Sequence, residues 1–120
     1  MKLIGSRVEQ EIREQLKKSN QSLFKSEEKR RLLEVIRSSY PDMRTAYIVH
    51  WIPEQGEDIY KILINDSIIA EIELGRFNAE IEPIVVTKTI SQYLQGLSKR
   101  HQITLAVALD LARQDLKNMD

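Results

Sequence analysis

Apolar residues recur along this chain with two different periods, and the change between them marks out the fold. Val8, Ile12 and Leu16 are spaced by four, which lays them on one face of a helix over about residues 7–19. Ser6 stands three residues before Glu9. That is the spacing of a capping box, in which hydroxyl and carboxylate satisfy free amides at a helix start. Leu23-Phe24 falls in the break behind this helix and is expected to plug into the core. Ser26 is placed to cap a second helix, with Glu27 and Glu28 at its positive end. Leu32, Leu33, Val35 and Ile36 supply its buried side, and Tyr40-Pro41 ends it, because a residue before proline is pushed out of the helical region.

From Thr45 the pattern shortens. Residues 45–52 carry aromatic and β-branched side chains and no full charge, which predicts a well-covered strand. A loop over 53–58, a second strand over 59–64 and a tight turn at Asn65-Asp66 follow, since both turn residues tolerate positive φ. A third strand spans 67–74, a loop 75–80 and a fourth strand 81–88, which Pro83 assigns to an edge. Short connections favour an antiparallel meander. Helix then returns, as a short segment over 91–97 limited by Gly96 and a long one opened by Ser98 and running to about Asn118. Two stripes of the long helix, one through Leu105, Ala108, Leu109, Ala112, Leu116 and Met119 and one through Ile103, Val107 and Leu111, make it the main element packed on the sheet. The order α-α-β-β-β-β-α-α predicts an α+β fold: a four-stranded antiparallel meander with two N-terminal and one or two C-terminal helices.

Composition narrows the class. At 120 residues and 42% hydrophobic, the chain suits a single domain over 1–120 with a real core. No cysteine is present, which excludes a disulfide framework, a zinc ribbon and thiol redox chemistry. Met1 to Ser6 lacks the apolar run of roughly seven residues that a signal peptide needs. No stretch approaches the roughly 18 apolar residues of a membrane span. The expectation is a cytoplasmic protein with no membrane partner.

Catalytic signatures are absent. The two histidines, His50 and His101, form neither His-x-x-x-His nor His-x-His, and no nucleophile elbow or glycine-rich phosphate cradle occurs. No metal site, cofactor or enzyme activity is therefore expected. One alternative enzyme reading remains, a metal-dependent nuclease using Asp58, Glu71, Glu73 and Glu82. It requires carboxylates to hold Mg²⁺ and a lysine to position water. In both Glu71-Ile72-Glu73 and Glu80-Ile81-Glu82 a glutamate stands where that lysine belongs. The run Lys29-Arg30-Arg31 lies among Glu27, Glu28 and Glu34 and reads as a solvated, salt-bridged face rather than a nucleic-acid surface.

Charge adds the one feature that points to a partner. The formal net charge is zero, yet residues 1–44 carry +4, residues 45–83 carry −6 and residues 84–120 carry +2. The acidic segment holds only two bases, Lys61 and Arg76. With a two-residue turn, Ile64 pairs with Ser67, so Tyr60, Ile62 and Ile64 share a face with Ile69, Glu71 and Glu73. Strand one adds either Tyr47, Val49 and Trp51 or the alternate set. Aromatic anchors rimmed by carboxylates suit a basic protein partner. The residues assigned to such a surface are Trp51, Glu54, Glu57, Asp58, Tyr60, Glu71 and Glu73. In the opposing arrangement the basic N-terminal helices cover this face and neutralise it internally. An oligomer that pairs its sheet faces is a third possibility.

The stretch from Tyr47 to Leu74, centred on Trp51-Ile52-Pro53-Glu54-Gln55-Gly56-Glu57-Asp58-Ile59-Tyr60, resembles small bacterial immunity proteins encoded beside toxins. The resemblance implies an α+β protein that binds a toxin domain and occludes it. It carries no site motif, so no binding residue follows from it.

Overall fold

The computed structural model describes residues 3–77 and 80–119. The expected 75–80 loop is thus described except at 78–79, and the first two residues lie outside the description. The chain runs α1 (Arg7–Lys25), α2 (Arg30–Ser39), β1 (Ala46–Glu54), β2 (Glu57–Ile64), β3 (Ile68–Gly75), β4 (Ile84–Thr89), α3 (Ile90–Leu94) and α4 (Lys99–Asn118). The strands form one antiparallel sheet in the order β1-β2-β3-β4. This is the α+β meander that the hydrophobic pattern predicts.

Helices cover both faces of the sheet. On one, α1 and α4 pack Ile12, Leu16, Leu105, Val107, Ala108 and Leu111 against Tyr47, Val49, Leu63 and Ile69. On the other, Leu23 from the end of α1 joins Leu32, Leu33 and Ile36 of α2 against Ala46, Ile62, Ile64, Ala70 and Ile72. Period-two alternation in β2 and β3 feeds both layers, so each strand is buried on both sides where the helices lie over it. No described helix is long and apolar enough to cross a membrane.

The helix starts follow the capping chemistry. The Ser6 hydroxyl accepts from the Glu9 amide at 3.2 Å, and the Glu9 carboxylate accepts from the amides of Ile4 and Gly5 at 3.0 Å. Those amide bonds, led by that of Ile4, hold the Glu9 carboxyl below its ordinary range against the effect of burial. Ser98 caps α4 in the same way, through the His101 amide. Ser26 behaves differently from expectation. α1 continues through Leu23 and Phe24 to Lys25, so Ser26 becomes its C-cap, and α2 starts only after Lys29. The Ser26 hydroxyl still accepts from the Lys29 amide, at 3.3 Å.

Two local features correct the expected faces of the sheet. The β2–β3 connection is Asn65-Asp66-Ser67, three residues rather than two, with Ile64 opposite Ile68. Asn65 takes φ +53°, and its side-chain oxygen accepts from the amides of Arg44 and Thr45 at 2.8 and 3.2 Å. Those bonds lock the longer turn. The extra residue shifts β3 by one, so Tyr60, Ile62 and Ile64 share a face with Ala70 and Ile72, not with Glu71 and Glu73. The second feature is a bulge in β1 between Ile48, opposite Ile62, and His50, opposite Lys61. Tyr47 and Val49 therefore face α1 and α4, while Trp51 emerges on the α2 side, opposite Tyr60. Neither of the alternating sets expected for this strand is realised whole.

Candidate partner-binding site

The far end of the β1–β2 hairpin holds five of the seven residues expected to form a binding surface, with Trp51, Asp58 and Tyr60 on one face and Glu54 and Glu57 at the tip on the other. β1 and β2 continue to Glu54 and Glu57, so the turn is only Gln55-Gly56, with Gly56 at φ +81°. That left-handed position favours glycine. The segment 53–58, expected as a loop, is thus mostly paired strand.

Trp51 is the exposed centre of this end. It is 54% accessible, while Tyr60 directly across the strand pair is buried at 6%. The indole N–H donates to Asp58 Oδ1 at 3.0 Å. Arg76, in the segment after β3, donates to the same carboxylate through Nη2 at 2.7 Å and Nε at 3.4 Å. The guanidinium hydrogen bond, aided by the indole, holds the Asp58 carboxyl below its usual range despite partial burial. The same burial pushes the Tyr60 phenol upward, and the charge of Asp58 adds to it. The indole is therefore held by a carboxylate that is itself fixed by an arginine.

Beside Trp51 lies a cleft of about 200 Å³ lined by Ser19, Ser22, Lys29, Ile48, Trp51 and Tyr60. Lys29 Nζ sits 5.9 Å from the centre of the Tyr60 ring, within the range of a cation–π contact. At the hairpin tip Glu54 and Glu57 stand directly opposite each other. Among the described residues neither carboxylate has an ion pair.

Glu71 and Glu73 do not belong to this surface. They lie on the opposite face of the sheet from Trp51 and Tyr60. Glu71 is bracketed by Lys61 Nζ at 2.5 Å and Lys88 Nζ at 3.1 Å, with its side chain only 16% accessible. Burial raises the Glu71 carboxyl, but the two lysines more than offset it and the net shift is downward. The −6 segment is partly neutralised from outside as well, since Asp66 pairs with Arg113 of α4 at 3.7 Å.

The nuclease arrangement meets the same division. Asp58 faces one side of the sheet, Glu71 and Glu73 face the other, and Glu82 precedes β4. Among the described residues no group of three or more His, Asp or Glu is placed to hold a metal ion.

Arg76 and Lys61 were the two bases of the acidic segment, and each is bound to one of the carboxylates assigned to the surface. Their rarity was the available signal for those pairs. The stacking of His50 on His101, with ring centres 4.3 Å apart, had no such signal. No protein-family model, no curated protein and no solved structure matches this chain.

Proposed function

We propose that the protein is a non-catalytic binding module for a basic protein partner, with the β1–β2 hairpin end as its contact surface. The observation that carries this reading is the exposed Trp51, fixed by Asp58 and Arg76 beside an apolar cleft. A large aromatic held in one orientation loses little conformational freedom on binding, which is what anchor residues require. Glu54 and Glu57 support it. Like charges directly opposite across a strand pair cost stability, so their placement at an exposed tip favours an external cation. The carboxylates steer the encounter, Trp51 seats in the partner and the Tyr60 side closes the cleft from beneath.

The resemblance to immunity proteins makes a toxin domain the partner of choice. Its basic surface, built for an acidic substrate, would be occluded by Glu54 and Glu57. The protein encoded by the adjoining gene is the partner to test, by titration calorimetry at low and high salt. Trp51→Ala is expected to weaken binding about 30-fold or more, the effect of losing roughly 2 kcal/mol at an anchor. Glu54→Lys with Glu57→Lys is expected to flatten the salt dependence. Binding that ignores both changes defeats the reading.

A further inference from the structure

We infer that the free edge of β4 pairs antiparallel with β4 of a second copy of this chain, joining two sheets into one of eight strands. This rests on different residues from the proposed hairpin surface and does not require it.

β4 ends the sheet, and among the described residues no strand lies beyond it. Its outward backbone groups are a template for another strand unless something blunts them. The usual protections are missing. Pro83 precedes the strand rather than interrupting it. The only charge in β4, Lys88, is turned inward to Glu71 at 3.1 Å. Ile84 and Val86 are 56% and 45% exposed, and every residue from Ile84 to Thr87 except Thr87 is a large aliphatic. Of the nine exposed large apolar residues among those described, five (Phe77, Ile81, Ile84, Val86 and Leu94) lie in β4 or the segments flanking it. Apolar exposure concentrated along one unpaired edge marks an interaction site.

The pattern of β4 selects a second copy as the occupant. In antiparallel pairing about a two-fold axis, directly opposed residues must lie on the same face, so the axis passes through one residue. An axis at Val86 places Val86 on its own copy, Val85 on Thr87 and Ile84 on Lys88. The apolar and β-branched residues then meet one another on both faces. It also keeps the two Lys88 side chains four residues apart along the strand, roughly 14 Å. An axis at Thr87 would bring them to two residues, roughly 8 Å. With the axis at Val86, each Lys88 also stands opposite Ile84, whose β3 neighbour is Glu73 and whose chain neighbour two residues back is Glu82. Neither glutamate has an ion pair among the described residues, and Lys88, bonded to Glu71 of its own chain yet 41% accessible, adds a favourable charge opposite them. The opposite edge of the sheet is obstructed, as β1 is bulged and contains Pro53. Assembly therefore closes at two copies instead of extending into a filament.

Sedimentation velocity over a wide concentration range tests the pairing. The expected species at high concentration has twice the 14.0 kDa chain mass. Val86→Lys, which sets two like charges on the axis, is expected to return it to a monomer with unchanged circular dichroism. Because the chain has no cysteine, Val86→Cys reports the register directly. Cross-strand Cα distances of about 4.5–5.5 Å lie within disulfide range, so oxidation is expected to give one covalent dimer. A wild-type chain that stays monomeric throughout overturns the inference, whether the edge then takes a foreign strand or none. A dimer that survives Val86→Lys and gives no cross-link through Val86→Cys overturns it too.

Discussion

The two edges of the sheet are built in opposite ways. β1 is bent by a bulge, carries Pro53, and is overlaid by α1 and α4. The Asn20 side chain donates to the Ala46 carbonyl at 2.9 Å, filling one acceptor of the edge. At the start of the same strand Thr45 and Tyr47 both donate to Asp115 of α4, at 2.7 and 2.5 Å. β4 has none of this cover on its outer side, and its exposed residues are mainly aliphatic. Exposure alone does not separate them, since Trp51 on β1 is as exposed as Ile84 on β4. What separates them is what the exposed group is attached to. Trp51 projects from an edge that is bulged, interrupted by Pro53 and bonded at Ala46 by Asn20, so its side chain is the better-placed group to bind. On β4 the backbone itself remains on offer. The first edge suits recognition of a particular partner surface, and the second suits addition of a strand.

The largest test of that contrast removes an apolar group from each edge. Leu16 is 4% exposed and packs α1 onto the sheet beside β1. Leu16→Ala is expected to lower the unfolding free energy by about 2–5 kcal/mol, the usual cost of a core truncation with its cavity. Ile84→Ala on β4, measured at protein concentrations dilute enough to keep the chain monomeric, is expected to cost within about 0.5 kcal/mol. Urea denaturation followed by circular dichroism measures both. Similar losses at the two sites would mean that β4 is covered in solution.

A smaller effect isolates the polar part of the β1 cover. Thr45 and Tyr47 are 2% and 3% exposed, and their hydroxyls share Asp115 Oδ2. Burial and that carboxylate together push the Tyr47 phenol far above its ordinary range, so it stays a neutral donor. Asp115→Ala leaves two buried hydroxyls without their acceptor, and a loss of about 1–3 kcal/mol is expected from the same denaturation measurement. Asn20→Ala removes a single bond to the edge and is expected to cost about 1 kcal/mol. If Asp115→Ala proves neutral, the cover of β1 depends on apolar packing alone.

The elements of this fold were legible because their signals are local. The four-residue spacing in α1, the Ser98 cap and the aromatic, β-branched run near residue 47 each specify an element within a few residues. The site was less legible because a sheet face is a cumulative property. One added residue in the Asn65-Asp66-Ser67 turn and one in the β1 bulge each invert every side chain that follows. The turn put Glu71 and Glu73 on the side away from Tyr60, and the bulge put Trp51 with Tyr60 instead of with Tyr47 and Val49. The turn does contain a readable cue, Asn65, but its length is fixed by bonds to Arg44 and Thr45, about 20 residues away in sequence. The bulge has no compositional mark, because His50 and Val49 are both ordinary strand residues. The charge map read correctly as segregated, yet its outcome depends on pairs such as Asp66 with Arg113 that only the folded chain defines.

The smallest expected effect distinguishes the edges by pH. His50 follows the β1 bulge and stacks on His101 of α4, with Lys61 of β2 on the same face. Burial, then the neighbouring His101 and Lys61 charges, lower its proton affinity below that of a free histidine. A group that binds protons less readily in the folded chain favours folding while it is neutral. The contribution is full above the ordinary histidine value of about 6.5 and is lost progressively as the pH falls below it toward the lowered folded value. Thermal unfolding is therefore expected to show a falling Tm between about pH 7 and pH 5, with a shallower slope in His50→Gln. At β4 Glu71, paired with Lys88, keeps its charge through that window, because its carboxyl is shifted downward, away from it. Glu71→Gln should leave the slope between pH 7 and pH 5 unchanged. Equal slopes in wild type and His50→Gln would show that the stacked histidines do not couple α4 to β1, and the acid sensitivity of that edge would have to come from elsewhere.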